Sequence, residues 1–184
     1  MRRSLTSPVR FGATLVALLG IVAPQQARAQ PDVVNGQQFR DWTLACRATA
    51  INRTSCVIKQ LLVEAETTRF LAEVAFSVAS GEEAETVLVV RVPTEVLLLR
   101  QAVMRIDDAP EPVPLRWQSC DKVLCTATVI LDEDSETRLR RGLTATIGYQ
   151  RLEEAEPTVF DVSLLGVTRG LDTIRAAGEA EDDP

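Results

Sequence analysis

Short apolar runs rich in valine, threonine and leucine recur along most of this chain, separated by clusters of Asn, Asp, Glu, Pro and Gly. In the clearest run Phe70, Ala72, Val74, Phe76 and Val78 alternate with Leu71, Glu73, Ala75 and Ser77. A period of two with one strongly apolar side describes a strand that buries one face. The same period appears as Val113, Leu115 and Trp117, as Ala145, Ile147 and Tyr149, and as Phe160, Val162 and Leu164. Strands are predicted near residues 41–46, 56–63, 68–78, 86–92, 96–99, 103–107, 113–119, 125–131, 144–150 and 159–165. So many short strands cannot all hide a face in a single open sheet. The pattern therefore predicts an all-β fold of two sheets stacked face to face, a β-sandwich. One stretch, residues 95–105, stays open: Val96-Leu97-Leu98-Leu99 followed by Gln101-Ala102 fits either a strand or a buried helical turn.

Two short helices interrupt the β pattern. Asp132-Glu133-Asp134-Ser135 supplies a cap and a first turn of acids, Arg138, Arg140 and Arg141 suit the negative end of the helix dipole, and Gly142 suits a stop. The second is predicted near residues 168–176. Residues 177–184 are short and acidic and are expected to be a disordered tail. There is no internal repeat.

The N-terminus changes the picture. Met1-Arg2-Arg3, an apolar run over residues 11–23 and the small-residue site Ala27-Arg28-Ala29 have the build of a cleavable signal peptide over residues 1–29. The apolar run is shorter than the roughly 20 residues a bilayer span needs, and no later stretch reaches that length. Ser4-Leu5-Thr6 after the two arginines lacks the apolar consensus of a twin-arginine leader, so the ordinary secretory route is expected. Of 184 residues, cleavage after residue 29 leaves 155, which suits one domain: a polar lead-in at residues 30–38, then a single domain over 39–176. Losing Arg2, Arg3, Arg10 and Arg28 from a total of 20 basic residues leaves 16 against 26 acidic ones, a net charge of −10. Such a surface repels phosphate backbones, so nucleic acid is not an expected partner. A periplasmic or extracellular protein is expected.

An exported chain places Cys46, Cys56, Cys120 and Cys125 in an oxidising compartment, where disulfides form. Four cysteines allow three pairings, and spacing alone does not choose. The residues between Cys46 and Cys56 read as a hairpin loop, and Asp121-Lys122-Val123-Leu124 forms a four-residue loop between Cys120 and Cys125, so local pairing is favoured in both places. A redox-active pair needs Cys-x-x-Cys at a helix start, whereas Cys120-x4-Cys125 has the wrong spacing and sits beside Asp121.

The chain has no histidine, which removes the usual general base for Ser or Cys nucleophiles and the commonest zinc ligand. Carboxylate chemistry remains, from Asp107-Asp108, Glu82-Glu83, Asp132-Glu133-Asp134 or Glu153-Glu154. Each cluster falls in a predicted turn or helix start, where acids are ordinarily solvated or capping. Calcium at residues 132–136 would lack the glycine and ligand spacing of an EF-hand loop. Trp42 and Trp117 lie on apolar strand faces, which assigns them to the core rather than to a sugar platform. Arg91 and Arg116 have no obvious target. No catalytic residue, cofactor or metal ligand is predicted.

The order of several short segments resembles the invasion-associated locus B family of bacterial exported proteins. They are Phe39-Arg40-Asp41-Trp42-Thr43-Leu44-Ala45-Cys46, Cys56-Val57-Ile58-Lys59-Gln60, Pro93-Thr94-Glu95-Val96-Leu97-Leu98 and Met104-Arg105-Ile106-Asp107. The series continues with Cys120 to Cys125 followed by Thr126-Ala127, with Leu139-Arg140-Arg141-Gly142, and with Ser163-Leu164-Leu165-Gly166-Val167. The resemblance implies an immunoglobulin-like β-sandwich, export to the periplasm or cell surface and, in some pathogenic members, a link to host-cell entry. Glu95 and Gln101 stand where the family tends to have glycine, Leu99 replaces a common proline, and Leu124 replaces the glycine before the last cysteine. The family brings no catalytic residues to transfer. The expectation is a non-enzymatic module that binds an envelope or surface macromolecule, with a carboxylate-pair hydrolase as the alternative and a thiol oxidoreductase as a weaker one.

Overall fold

The computed structural model describes residues 33–51, 53–79 and 84–181. The leader at residues 1–29 and the acids Glu82 and Glu83 lie outside the described residues. Among the described residues ten strands form: β1 (Gln38–Phe39), β2 (Trp42–Ala50), β3 (Arg53–Val63), β4 (Phe70–Val78), β5 (Thr86–Pro93), β6 (Ala102–Ile106), β7 (Val113–Cys120), β8 (Leu124–Ile130), β9 (Thr144–Tyr149) and β10 (Thr158–Ser163). Two helices join them, α1 (Glu133–Arg141) before β9 and α2 (Val167–Glu181) after β10.

The predicted pair of stacked sheets is corrected by the ladder. All ten strands belong to one antiparallel sheet in the order β1-β2-β3-β4-β5-β8-β7-β6-β9-β10. The reason lies in β7, which changes partner along its length. Val113, Pro114 and Leu115 pair with β6, whereas the segment from Arg116 to Cys120 pairs with β8. An irregularity between Trp117 and Ser119 marks the change of register, a device that lets one strand serve two directions of a sheet. The sheet hides its apolar face by curling. Its two ends meet through side chains: Trp42 Nε1 donates to the Ser163 carbonyl at 2.9 Å, Ser163 Oγ donates to Asp41 Oδ2 at 2.5 Å, and the Gln60 amide contacts both the N–H and the C=O of Ser163.

The core fills the inside of the curl. Trp42, Leu44, Ile58, Phe76, Leu88, Leu115 and Ile147 are all fully buried there, with the Trp42 and Phe76 rings 5.1 Å apart. Helix α2 closes the opening with Val167, Leu171 and Ile174, all buried and spaced by four and three residues on one helical face. Close approach depends on Gly170, where a β-carbon would sit 2.8 Å from the Ile58 side chain. The helix continues through Gly178 to Glu181 instead of ending near residue 176, because the alanines and glutamates around Gly178 are good helix formers.

One local expectation needs correction, and another holds for a different reason. Residues 96–99 do not form a strand: Val96 makes one bridge to Arg151, and the chain then turns, with Arg100 N–H donating to the Leu97 carbonyl. Glu95 just before it has φ +74°, a left-handed conformation that takes the chain out of the ladder. Gly142 does cap α1, yet its φ of −72° is ordinary. Glycine is required there by space, since a β-carbon would meet Ile106 Cγ2 at 2.8 Å and Leu164 Cδ1 at 2.9 Å.

Candidate functional site

The cysteines that the sequence singled out are joined locally. Cys46 faces Cys56 across the β2–β3 ladder, Cys120 faces Cys125 across β7–β8, and both pairs are disulfide-bonded. Among the described residues no free thiol remains. The second loop is also held without its sulfurs. Asp121 Oδ1 accepts from the backbone N–H groups of Val123 and Leu124 at 2.7 and 2.8 Å, and those same bonds keep its carboxyl below the usual Asp range.

The acids considered for catalysis are dispersed into structural bonds. Asp107, at φ +44°, accepts from the Leu143 and Thr144 N–H groups and so fixes the start of β9. Asp132 is the N-cap of α1, its Oδ1 accepting from Ser135 N–H at 2.7 Å, which lowers its pKa. Asp134 turns outward to Arg138. Glu154 binds Arg151. Each of these carboxylates is thus taken up by its own cap, turn or cation. Among the described residues no three Cys, Asp or Glu side chains are arranged to hold a metal ion.

Sequence reasoning missed two acids that the fold partly buries. Glu73, on the outer side of β4, receives Lys59 Nζ at 3.1 Å and an Arg91 guanidinium nitrogen at 2.7 Å, which gives Arg91 the target the sequence did not reveal. Burial pushes the Glu73 carboxyl up, but the hydrogen bonds and charges of Lys59 and Arg91 outweigh it and hold it low. Glu136 of α1 is held in the same way. Burial raises it, and bonds from Thr86 Oγ1 at 2.7 Å, Arg140 and Arg175 lower it further than burial lifts it. This cluster ties α1 to α2 and to the first residue of β5. An i, i+4 spacing of Glu136 and Arg140 was the available signal; Arg175 could not be found by spacing.

One open cleft of about 520 Å³ lies where the β1–β2 hairpin meets the start of α2. Gln38, Phe39 and Arg40 line one side, Gly166, Thr168, Arg169 and Asp172 the other. Arg40 is the first residue of a two-residue hairpin loop and has φ +55°. Asp172 is engaged by Arg140 at 2.7 Å, and Thr168 Oγ1 donates to the Arg140 carbonyl. Among the described residues Arg40 and Arg169 have no carboxylate partner. The cleft thus has cationic and hydrogen-bonding walls and no nucleophile with an adjacent base.

The two tryptophans serve the core rather than this cleft. Trp42 is fully buried. Trp117 is half-buried, its Nε1 donating to the Arg100 carbonyl at 2.9 Å, and its ring meets Tyr149 edge-on at 6.2 Å.

Comparison with known families decides the relationship: the model of the Invasion associated locus B (IalB) protein family matches residues 42–175. The chain belongs to the IalB family. Its fold is also that of a solved relative, invasion associated protein B from Bartonella henselae, with a TM-score of 0.67 at 15% identity over 78% of this chain and 97% of that one. No curated protein matches the chain. The IalB match spans both disulfides, the closure at Ser163 and most of the core, so the family and the curled sheet describe the same residues. Among the described residues no helix is long and apolar enough to cross a membrane.

Proposed function

We propose that this IalB family protein is exported and works without catalysis, by binding another macromolecule of the bacterial envelope or of a surface that envelope meets. The observation that carries the reading is the use of its acids: Asp107, Asp121, Asp132, Glu73, Glu136 and Glu154 are each engaged in a cap, a turn or an ion pair. A catalytic carboxylate pair requires two such groups facing a common space and free to exchange protons, whereas each of these is committed to a structural partner of its own. The two closed disulfides fit an oxidising compartment, in line with a leader over residues 1–29 and a mature start near Gln30.

The test is crosslinking of the protein in its own envelope, followed by identification of captured components. A reproducible protein or surface component is expected. Changing Asp107, Asp108, Asp132 and Asp134 together to asparagine should preserve capture, because asparagine still accepts the capping bonds. An envelope substrate consumed by the purified protein, with turnover lost in that variant, would replace this reading by carboxylate catalysis.

A further inference from the structure

Strand β5 is apolar on both faces. Leu88, Val90 and Val92 point into the core, and Val87 and Val89 point outward with Arg91. A central strand that is apolar on both sides is the pattern of one covered on both sides. Inside the curl β5 is covered by the core; outside it, no described element lies over it. The neighbours extend the same surface along the register. Val89 lies beside Ala75, Val87 beside Ile130, and Leu61 beside Glu73 in the next row, with Ile130 56% and Leu61 61% exposed.

We propose that this outer face, centred on Val87 and Val89, docks a second copy of the chain, sheet against sheet about a two-fold axis. The size is adequate. The row from Thr43 through Lys59, Ala75, Val89 and Thr128 to Arg116 crosses six strands in unbroken register. Six strands about 4.8 Å apart and three outward rows about 6.8 Å apart make a face of roughly 550 Å². Two copies would bury about 1,100 Å², which reaches the lower range of specific interfaces. A two-fold pairing asks only that one patch fit itself, and Ala75, Thr128 and the valines leave the face flat enough for packing about 10 Å apart. Arg116 sits at the rim of the face, where it keeps its water, and the charges nearer the centre are already paired. Glu73, the one acid in these rows, is already paired to Lys59 and Arg91 on either side, so closing the interface strands no carboxylate. Among the described residues the other acids belong to none of these strand rows, and the processed chain carries a net charge of −10. Their repulsion between copies acts at long range, and salt screens it.

The experiment is sedimentation equilibrium of the processed protein from low micromolar to several hundred micromolar, in low and in moderate salt. A mass rising toward twice that of the monomer, more readily in salt, is expected. Val87→Lys with Val89→Lys should weaken association by roughly tenfold or more, while the far-UV spectrum is kept because neither side chain enters the core. Should that variant unfold, Leu61→Lys with Ile130→Lys probes the same face from exposed positions. Val159→Lys, on the outer face of β10 and away from the patch, should leave association unchanged. A monomer at every concentration, or a dimer that both lysine pairs leave intact, overturns the proposal. So does a monomer whose Val87 and Val89 instead govern co-flotation with phosphatidylcholine vesicles.

Discussion

Gly166 stands where β10 gives way to α2, at φ +97°, and the closure of the sheet depends on its having no side chain. A β-carbon placed there would lie 1.9 Å from the Phe39 carbonyl oxygen and 2.6 Å from the carbonyl carbon. Both are backbone atoms, so no rotamer change relieves the overlap. Gly166→Ala therefore meets two costs. The backbone conformation disfavours an L side chain by about 1–2 kcal/mol. The overlap forces β1 away from α2, loosening the Trp42 Nε1 bond to Ser163, at 2.9 Å, and the Asp41 N–H bond to Leu165, at 3.4 Å. Two such bonds at about 1 kcal/mol each bring the expected loss to about 3–4 kcal/mol, against a typical stability of about 5–15 kcal/mol. Urea denaturation followed by tryptophan fluorescence is the assay, since Trp42 sits at the closure. With an m-value of about 2 kcal/mol/M the midpoint should fall by about 1.5–2 M. Gly178→Ala is the matched control: that position in α2 has nothing within 4 Å, and the change should stabilise by up to about 1 kcal/mol through helix propensity. A Gly166→Ala protein that keeps its midpoint, or a control that falls with it, refutes the reasoning.

Replacing Cys46 and Cys56 by serine should cost about 2.7 kcal/mol in the chain-entropy model for a separation of 10 residues, with the far-UV spectrum retained. The pair Cys120→Ser with Cys125→Ala, separated by 5 residues, should cost about 2 kcal/mol or less by the same denaturation measurement, because Asp121 still holds its loop. Glu136 is held below the ordinary Glu value, so it stabilises the fold fully above about pH 4.3 and loses that contribution as pH falls through its lowered pKa. Glu136→Gln should accordingly lower the melting temperature at neutral pH and flatten its fall in acid; a parallel acid fall in both proteins would remove Glu136 from the account.

The period-two runs located nine of the ten strands, because a face in contact with the core must be apolar at every second residue whatever its partner. The cysteine hairpins were legible because the residues between each pair read as a short turn joining two extended runs. Sheet closure was not legible in this way. It depends on β7 exchanging β8 for β6 near Trp117 and on Ser163 meeting Trp42 across 121 residues of chain. Strand periodicity describes which face is buried and is silent on what buries it. Nor could spacing find the Glu136–Arg175 bond, which joins two helices 39 residues apart. Glu95 is different: its place at a position where the family tends to have glycine was visible, and its φ of +74° supplies the physical reason. Of the cleft, Arg40-Asp41 was legible only as part of a family segment, because a charged pair between Phe39 and Trp42 does not by itself announce a two-residue loop facing a helix.

Val87 and Val89 admit one competing explanation that needs no partner, which is that valine is simply a good strand former. Threonine separates the two ideas, being β-branched like valine and nearly the same shape, with a hydroxyl in place of one methyl. If propensity alone placed the valines, Val87→Thr with Val89→Thr should change neither stability nor association. If the face is an interface, stability measured at low concentration should stay within about 0.5 kcal/mol, as for other surface changes away from special contacts, while association weakens because each hydroxyl must be dehydrated on docking. The inner neighbours provide the contrast. Leu88 and Val90 are fully buried, so Val90→Thr should destabilise the single copy by about 1–3 kcal/mol through the same unsatisfied hydroxyl. One strand thus supports both measurements, and a double threonine variant that associates as well as its parent would return Val87 and Val89 to strand propensity.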